Sequence, residues 1–293
     1  MEKDKTPQKE RAQSAKPIWK MESGVLSRQD DQLAKEEPLE IRLGFGQGSD
    51  RRHESLSVTM RTPGHDADLA MGFLFTEGII SKASDVLSSR FVGDQWEGDM
   101  QYNSLLMELA PAISFDPQQL SRHFYTASSC GVCGKGSIEL VQTHTCYFPI
   151  DDRPLIPASM LCQLPGLLRK AQPLFSSTGG IHATGLFDAK GELLLLREDI
   201  GRHNALDKMI GASLCSGQIP LRDHVLMVSG RASFELVQKA LMAGVPFLVA
   251  VGAPSTLAVE LAQEYGMTLV GFLREKSFNV YSGKDRIQIE SKK

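Results

Sequence analysis

The fold is decided by three short apolar runs near the end of the chain: His224-Val-Leu-Met-Val-Ser229, Val245-Pro-Phe-Leu-Val-Ala-Val251 and Met267-Thr-Leu-Val-Gly-Phe-Leu273. Two stretches of helical character separate them, 231–243 and 255–265, and a glycine follows each one. Nearly continuous apolar strands are typical of a sheet that is buried on both faces. The pattern therefore predicts strand–helix–strand–helix–strand, with parallel strands and right-handed crossovers.

The residues that precede this unit extend the prediction to a mixed sheet. Residues 182–197 read as a hairpin that turns at 188–191, and 200–210 as a helix. In the first half, Leu56, Val58 and Met60 alternate with polar residues, which predicts a half-buried strand. A helix over 66–77 and a strand over 103–110 follow. We therefore expect an α/β protein with a three-layer C-terminal domain and a smaller N-terminal α+β domain.

Composition divides the chain into four segments. Residues 1–20 are polar and charged without periodicity, which predicts a disordered tail. Residues 21–125 form the predicted N-terminal domain, which ends in a short helix that opens at Asp116-Pro117. Three glycines and two serines predict a flexible loop over 126–137. The C-terminal domain is expected over 138–293.

Charge and hydropathy exclude two classes of partner. The 293 residues carry a formal net charge of −3, and lysine and arginine do not form a basic stripe, so a general nucleic-acid-binding role is excluded. No apolar run approaches the roughly 20 residues of a membrane-spanning helix. The N-terminus lacks the apolar segment of a signal peptide, which favours the cytoplasm and makes the five cysteines thiols or ligands rather than disulfides.

The cysteine pair Cys130-Gly-Val-Cys133 is the first candidate for chemistry. Two thiols at this spacing can form a disulfide, carry sulfur as a persulfide or hold a soft metal, and Lys135 could favour a thiolate. His144 and Cys146 could complete a zinc tetrad, so a zinc site competes with sulfur or redox chemistry. Inert thiols are the third alternative.

A second candidate site lies where the predicted parallel strands end. Ser229-Gly-Arg231, Gly252-Ala-Pro-Ser255 and Phe272-Leu-Arg274 should meet at one edge of the sheet, where open α/β sheets bind ligands. Two of these loops lead into helix N-termini, which favour phosphate. The alternative is that small residues and helix caps merely close tight turns. No dinucleotide-binding or Walker motif is present.

A third group of polar residues surrounds the predicted hairpin. We expect this group to bind a ligand, because so many polar residues close together are unusual in an apolar core. The residues are His182, Glu198, Asp199, Arg202 and His203. A histidine here could instead be a satisfied hydrogen-bonding group, and Asp199 could simply cap the helix that follows.

Several long motifs occur in order between about residue 35 and residue 285 and together resemble the formate dehydrogenase accessory sulfurtransferases, the FdhD family. The motifs are Gly72-Phe-Leu-Phe-Thr-Glu-Gly78, Ser-Cys130-Gly-Val-Cys133-Gly-Lys-Gly, Thr178-Gly-Gly-Ile-His-Ala, Glu198-Asp-Ile-Gly-Arg-His-Asn-Ala-Leu-Asp-Lys, Ser229-Gly-Arg-Ala-Ser-Phe-Glu, Ala253-Pro-Ser-Thr-Leu-Ala, Gly271-Phe-Leu-Arg274 and Phe278-Asn-Val-Tyr281.

The resemblance implies a sulfurtransferase that matures formate dehydrogenase. A cysteine desulfurase would donate persulfide sulfur, with Cys130 as the persulfide carrier and Cys133 as its partner. The acceptor would be the bis(molybdopterin guanine dinucleotide) molybdenum cofactor. The family's cofactor-binding stretch matches Phe272, Leu273, Arg274, Glu275, Lys276 and Ser277. A homodimer with a cytidine deaminase-like C-terminal domain is also implied, although the deaminase zinc signature is absent.

Two other functions remain open beside sulfur transfer. The first is a chaperone that binds the molybdenum cofactor without moving sulfur. The second is a zinc-stabilised module. The resemblance argues against this function, because the family motif does not include His144 or Cys146. We therefore expect no metal site.

Overall fold

The computed structural model describes residues 12–92, 103–115, 147 and 153–289. Its first half, up to residue 115, contains these strands and one α-helix: β1 (Gln13–Glu22), β2 (Val25–Ala34), β3 (Glu37–Phe45), β4 (Arg52–Arg61), α1 (Asp66–Thr76), β5 (Val86–Phe91) and β6 (Ser104–Leu109). Its second half contains β7 (Ile156–Pro157), α2 (Ala158–Leu161), α3 (Leu164–Ala171), α4 (Pro173–Thr178), β8 (His182–Phe187), β9 (Leu193–Asp199), α5 (Arg202–Cys215), β10 (Val225–Val228), α6 (Phe234–Met242), β11 (Phe247–Ala250), α7 (Thr256–Glu264), β12 (Thr268–Gly271), β13 (Asn279–Ser282) and β14 (Ile287–Gln288).

The central sheet has the strand order β13-β12-β11-β10-β8-β9. Strands β10, β11 and β12 are parallel, and β8 pairs antiparallel with both β10 and β9. The predicted strand–helix–strand–helix–strand unit, the hairpin and the mixed sheet are therefore confirmed. The cytidine deaminase-like classification stays a prediction.

Alternate side chains of the central strands enter two different apolar cores, which explains the nearly continuous apolar runs. Leu226 and Leu248 face the core that contains α5, α6 and α7. Met227 and Val249 face a second core, which contains α2 and α3. Each strand is buried on both faces and has no side that contacts solvent. Its sequence therefore does not alternate between apolar and polar residues.

A four-stranded sheet of order β4-β3-β6-β5 forms the first half of the chain, and its inner face joins the core of α5, α6 and α7. The prediction that Leu56, Val58 and Met60 share a buried face was wrong. Val58 is 63% and Met60 48% exposed, whereas Leu56 packs against the core. The register shifts at Leu56, and such a bulge reverses the side-chain alternation of the strand.

The predicted disordered tail was wrong for residues 13–20, which lie in β1. Strand β1 pairs with β2 from Gln13↔Ala34 to Glu22↔Val25. Ser23 and Gly24 turn the chain with φ angles of 50° and 82°, as a tight hairpin turn requires. The Ser-Gly pair was the sequence signal for this turn. Residues 126–137, the predicted flexible loop, and the helix predicted after Asp116 lie outside the described residues.

Helices α1 and α5 cross so closely that glycine is required on both of them. A Cβ at Gly72 would fall onto the carbonyl oxygen of Asp207, and one at Gly211 onto that of Asp68. The backbone of each helix therefore fills the space that a side chain would take. This crossing joins the first half of the chain to the central sheet.

Candidate functional site

The two groups of site residues that the sequence predicted separately lie at one edge of the central sheet. The parallel strands β10, β11 and β12 all end there. Because β8 is antiparallel to β10, its first residues lie at the same edge, where Ala183 accepts a hydrogen bond from the backbone N–H of Ser229. His182 pairs with Asp199 across β8 and β9, so the end of β9 lies there too.

Backbone hydrogen bonds tie the loops at this edge to one another. Gly252 N–H donates to the Gly230 carbonyl at 2.8 Å, and Phe272 N–H donates to the Gly252 carbonyl at 3.0 Å. A further bridge joins Ala232 to Pro254. These contacts order the backbone of the edge, which we call the rim.

The predicted cofactor loop, residues 272–277, leaves the rim from a buried anchor. Leu273 is fully buried, whereas Phe272 is 43% exposed and has a left-handed φ of 51°. Such a backbone conformation is unfavourable for a residue with a bulky side chain. The turn closes through Arg274 N–H, which donates to the Ser277 carbonyl at 2.8 Å. Arg274, Glu275, Lys276 and Ser277 are exposed.

A cavity of about 570 Å³ opens between the rim and helices α3 and α4, a size common for small-molecule sites. Most of its wall is apolar, and His182, Ser229, Arg169 and Gln172 add polar groups. The cavity adjoins the predicted cofactor loop, because Arg274 Nη1 donates at 2.7 Å to the carbonyl of Val251, which also lines the cavity.

The cavity wall contains residues that the sequence did not single out. The Arg169 guanidinium lies 3.5 Å from the ring centroid of Phe175, a cation–π contact between α3 and α4. Neither residue belongs to a recognisable chemical motif. Only the folded arrangement places them opposite His182.

The surroundings of His182 at the cavity favour a neutral imidazole. Its Nδ1 lies 3.4 Å from Ser229 Oγ, which also accepts the Ala183 N–H at 2.9 Å. Burial lowers the pKa of His182, the positive charge of Arg202 lowers it further, and Asp199 opposes both. A neutral ring has one donor and one acceptor nitrogen, so His182 can hydrogen-bond a polar heterocycle without adding charge.

Asp199 does not point to the ligand side, contrary to the expectation for it as a binding residue. Its carboxylate is fully buried and accepts hydrogen bonds from the N–H groups of Thr62 and Gly201 and from the Asn204 amide. Lys208 Nζ lies 2.6 Å from it. All of its acceptor capacity is therefore used inside the protein. It is not the side-chain cap of the following helix, whose N-cap residue is Gly201.

Glu198 is also directed at the protein rather than at a ligand. Its two carboxylate oxygens accept the backbone N–H groups of Leu174 and Phe175, at 3.0 and 2.9 Å.

His203, in contrast, lies at the edge of the sheet, where its Nε2 is 3.2 Å from Ser233 Oγ and 3.4 Å from Glu235 Oε2. Burial lowers the pKa of His203.

Cys130 and Cys133 lie outside the described residues, as do His144 and Cys146. Within residues 12–92, 103–115 and 153–289, no cluster of three or more histidine, cysteine, aspartate or glutamate side chains could hold a metal ion. The described cysteines are unpaired; Cys215 is exposed rather than buried as small hydrophobes usually are, and Cys162 is half-buried. Burial raises the pKa of both thiols.

The described helices are all too short or too polar to cross a bilayer.

Fold and site together define an α/β protein with a cavity at the carboxyl edge of a mixed sheet. A sequence model of the FdhD/NarQ family matches residues 34–288, and the chain belongs to that family. The match includes the Cys130–Cys133 segment and the whole rim.

Similar proteins extend over nearly the full length of the chain. It is 49% identical over 275 residues to a protein of Mycolicibacterium paratuberculosis named "Sulfur carrier protein FdhD", covering 94% of this chain and 98% of that one. A protein of the same name from Thermoplasma volcanium is 44% identical over 261 residues, 89% of this chain and 90% of that one.

The fold is also similar to a crystal structure from Desulfotalea psychrophila of a protein designated a formate dehydrogenase accessory protein. The TM-score is 0.70 at 23% identity, over 94% of this chain and all of that one. At this identity the likeness establishes the fold alone.

Proposed function

We propose that the protein is a sulfurtransferase that carries persulfide sulfur from a cysteine desulfurase to the molybdenum cofactor of formate dehydrogenase. Cys130 is the carrier and Cys133 its partner. The acceptor is bis(molybdopterin guanine dinucleotide), which binds at the rim and the 272–277 loop. The protein acts in the cytoplasm as a homodimer, and its C-terminal domain is similar to cytidine deaminase.

One observation carries this proposal: relatives named sulfur carriers are 44–49% identical over nearly the whole chain. The family match contains both cysteines. In the loading step, the Cys130 thiolate attacks the terminal sulfur of the donor's persulfide. The donor cysteine leaves as a thiolate, and the terminal sulfur becomes the outer sulfur of a Cys130 persulfide.

The geometry of the rim supports a phosphate-bearing acceptor. Helices α6 and α7 each have nine residues and begin there, and the N–H groups of a helix N-terminus favour anions; in α7 one of them, that of Ala258, already donates to Ser255 Oγ. Arg274 and Lys276 lie on the exposed loop beside the cavity. The apolar cavity with a neutral His182 is suited to a planar heterocycle, such as the base or pterin of the cofactor. The 272–277 loop and the helix N-termini are suited to its pyrophosphate.

The alternative is a chaperone that binds the cofactor without moving sulfur. The specific observation in its favour is that the cavity and the exposed 272–277 loop adjoin each other through Arg274 and Val251, which is the binding surface that this function needs. This function needs the rim but not Cys130. The two proposals therefore differ in one measurable property, the loading of sulfur.

The test is incubation with a cysteine desulfurase and cysteine, followed by mass spectrometry of the intact protein. We expect the wild type to gain one sulfur atom that reductant removes, and Cys130→Ala to gain none. Cys162→Ala is the matched control and should load normally. A wild type that gains no sulfur contradicts the proposal, and stoichiometric zinc with unfolding by a chelator would instead identify a zinc-stabilised module.

A further inference from the structure

A single carboxylate from the central sheet holds one wall of the cavity. Glu198, on β9, receives the N–H groups of Leu174 and Phe175 at 3.0 and 2.9 Å, one on each of its oxygens. Both donors belong to the first turn of α4. Glu198 thus acts as the cap of a helix that is distant in sequence.

Helix α4 has no capping interaction of its own at its N-terminus. It contains six residues, begins with Pro173, and its N-cap residue Gln172 makes no side-chain capping bond. The first amides of a helix have no partner inside the helix, and a helix this short is unstable in isolation. The carboxylate satisfies two of these amides, and its negative charge is favourable at a helix N-terminus.

The position of α4 sets the shape of the cavity. Phe175 lines it, and Arg169 of α3 stacks on the Phe175 ring. The chain that leaves α4 through Gly179 and Gly180 also lines the cavity before it reaches His182. A shift of α4 would therefore move the aromatic wall and the approach to His182 together.

Glu198 is itself rigidly placed by its neighbour in sequence. Asp199 is fully buried and bonded to Lys208, Thr62, Gly201 and Asn204. Leu174 packs with Ile181 and Ala12 in a small apolar cluster beneath α4. The carboxylate therefore links a fixed strand to the N-terminus of a short helix.

We propose that Glu198 is a positioning residue that fixes the α3–α4 wall of the cavity in the form that binds the acceptor cofactor. This inference rests on the proposed function for the identity of the ligand. Glu198 touches the backbone of α4, and its effect on the ligand is exerted through Phe175 and the Gly179–Gly180 turn.

The test compares three variants of the full-length protein by calorimetric titration with guanosine diphosphate, which represents the nucleotide part of the acceptor. Glu198→Ala removes both acceptor oxygens and should weaken binding about tenfold or more. Glu198→Gln keeps one acceptor oxygen and should lie between Glu198→Ala and the wild type. Glu192→Gln, the same change at an exposed residue of the β8–β9 turn, should bind like the wild type.

A second readout distinguishes positioning from a general loss of structure. Hydrogen exchange in Glu198→Ala should be faster at the Leu174 and Phe175 amides and unchanged in β10 and β11. Sulfur loading of Cys130 should remain at the wild-type level.

The inference is overturned if Glu198→Ala binds guanosine diphosphate as tightly as the wild type, or if the two amides exchange at the wild-type rate. A failure of the proposed acceptor site has a different signature. In that case the wild type itself binds neither guanosine diphosphate nor the complete cofactor.

Discussion

Lys208 Nζ lies 2.6 Å from Asp199 Oδ2, and both side chains are buried. The same ammonium donates to the Thr62 carbonyl at 2.8 Å, and the same carboxylate accepts the Thr62 N–H. The pair therefore joins the middle of α5 and the end of β9 to the chain that leaves β4. It connects the two halves of the protein directly beside the rim.

Removal of the lysine should be strongly destabilising, because it leaves Asp199 as a buried charge. We expect Lys208→Met to lower the free energy of unfolding by about 3–5 kcal/mol. Urea denaturation followed by circular dichroism measures this change. Lys190→Met, at an exposed turn residue, is the control and should change stability little. A loss of less than about 1 kcal/mol in Lys208→Met would show that the pair does not hold the halves together.

Because α1 and α5 cross so closely, we expect the addition of a single methyl group at Gly72 to destabilise the protein. Gly72→Ala should cost several kcal/mol, because its Cβ would overlap the Asp207 carbonyl and force the helices apart. Gly166→Ala is the matched control, since a Cβ on that α3 residue meets nothing within 4 Å. It should be neutral or stabilise by up to about 1 kcal/mol, as alanine favours helix. Equal melting temperatures for the two variants would refute the close crossing.

The protonation state of His182 can be measured directly by NMR titration of its ring protons. We expect a midpoint below the usual 6.5, because burial and Arg202 both disfavour the charged ring. Arg202→Gln should raise the midpoint, whereas Arg222→Gln should leave it unchanged. The lowered pKa also makes the free energy of unfolding depend on pH. The contribution of His182 to stability is present above pH 6.5 and is lost as the pH falls through the lowered pKa. A midpoint above 6.5 would contradict the neutral site.

We expect Phe272 to lower the stability of the fold while it strengthens binding of the cofactor. Its left-handed φ of 51° costs roughly 1–2 kcal/mol for a residue with a Cβ, and glycine avoids this cost. We expect Phe272→Gly to keep or raise the melting temperature while it weakens guanosine diphosphate binding. Phe272→Ala should weaken binding equally without the gain in stability. Unchanged binding in both variants would remove Phe272 from the cofactor site.

The central sheet could be predicted from sequence because each of its parallel strands is buried on both faces and is therefore apolar throughout. The hairpin of β1 and β2 could not, since its residues are mostly exposed and have no strand alternation. The burial of β4 was mispredicted because a single bulged residue reverses the alternation, and no local signal marks the bulge.

The candidate site was predictable in location but not in the roles of its residues. Strand ends and the density of polar groups indicated the rim. The sequence could not show that Glu198 and Asp199 face inward, because neighbouring carboxylates look alike until their hydrogen-bond donors are known. Nor could it place Arg169 and Phe175 in the cavity, since only the packing of α3 and α4 brings them opposite His182.

The most direct test of sulfur transfer is the activity of formate dehydrogenase matured in the presence of variants of this protein. Cells lacking the protein are supplied with wild type, Cys130→Ala or Arg274→Ala, and formate oxidation is measured in each extract. We expect activity with the wild type only, because transfer needs both the carrier thiol and the acceptor site. Full activity with Cys130→Ala, combined with none from Arg274→Ala, would contradict sulfur transfer and identify a cofactor chaperone.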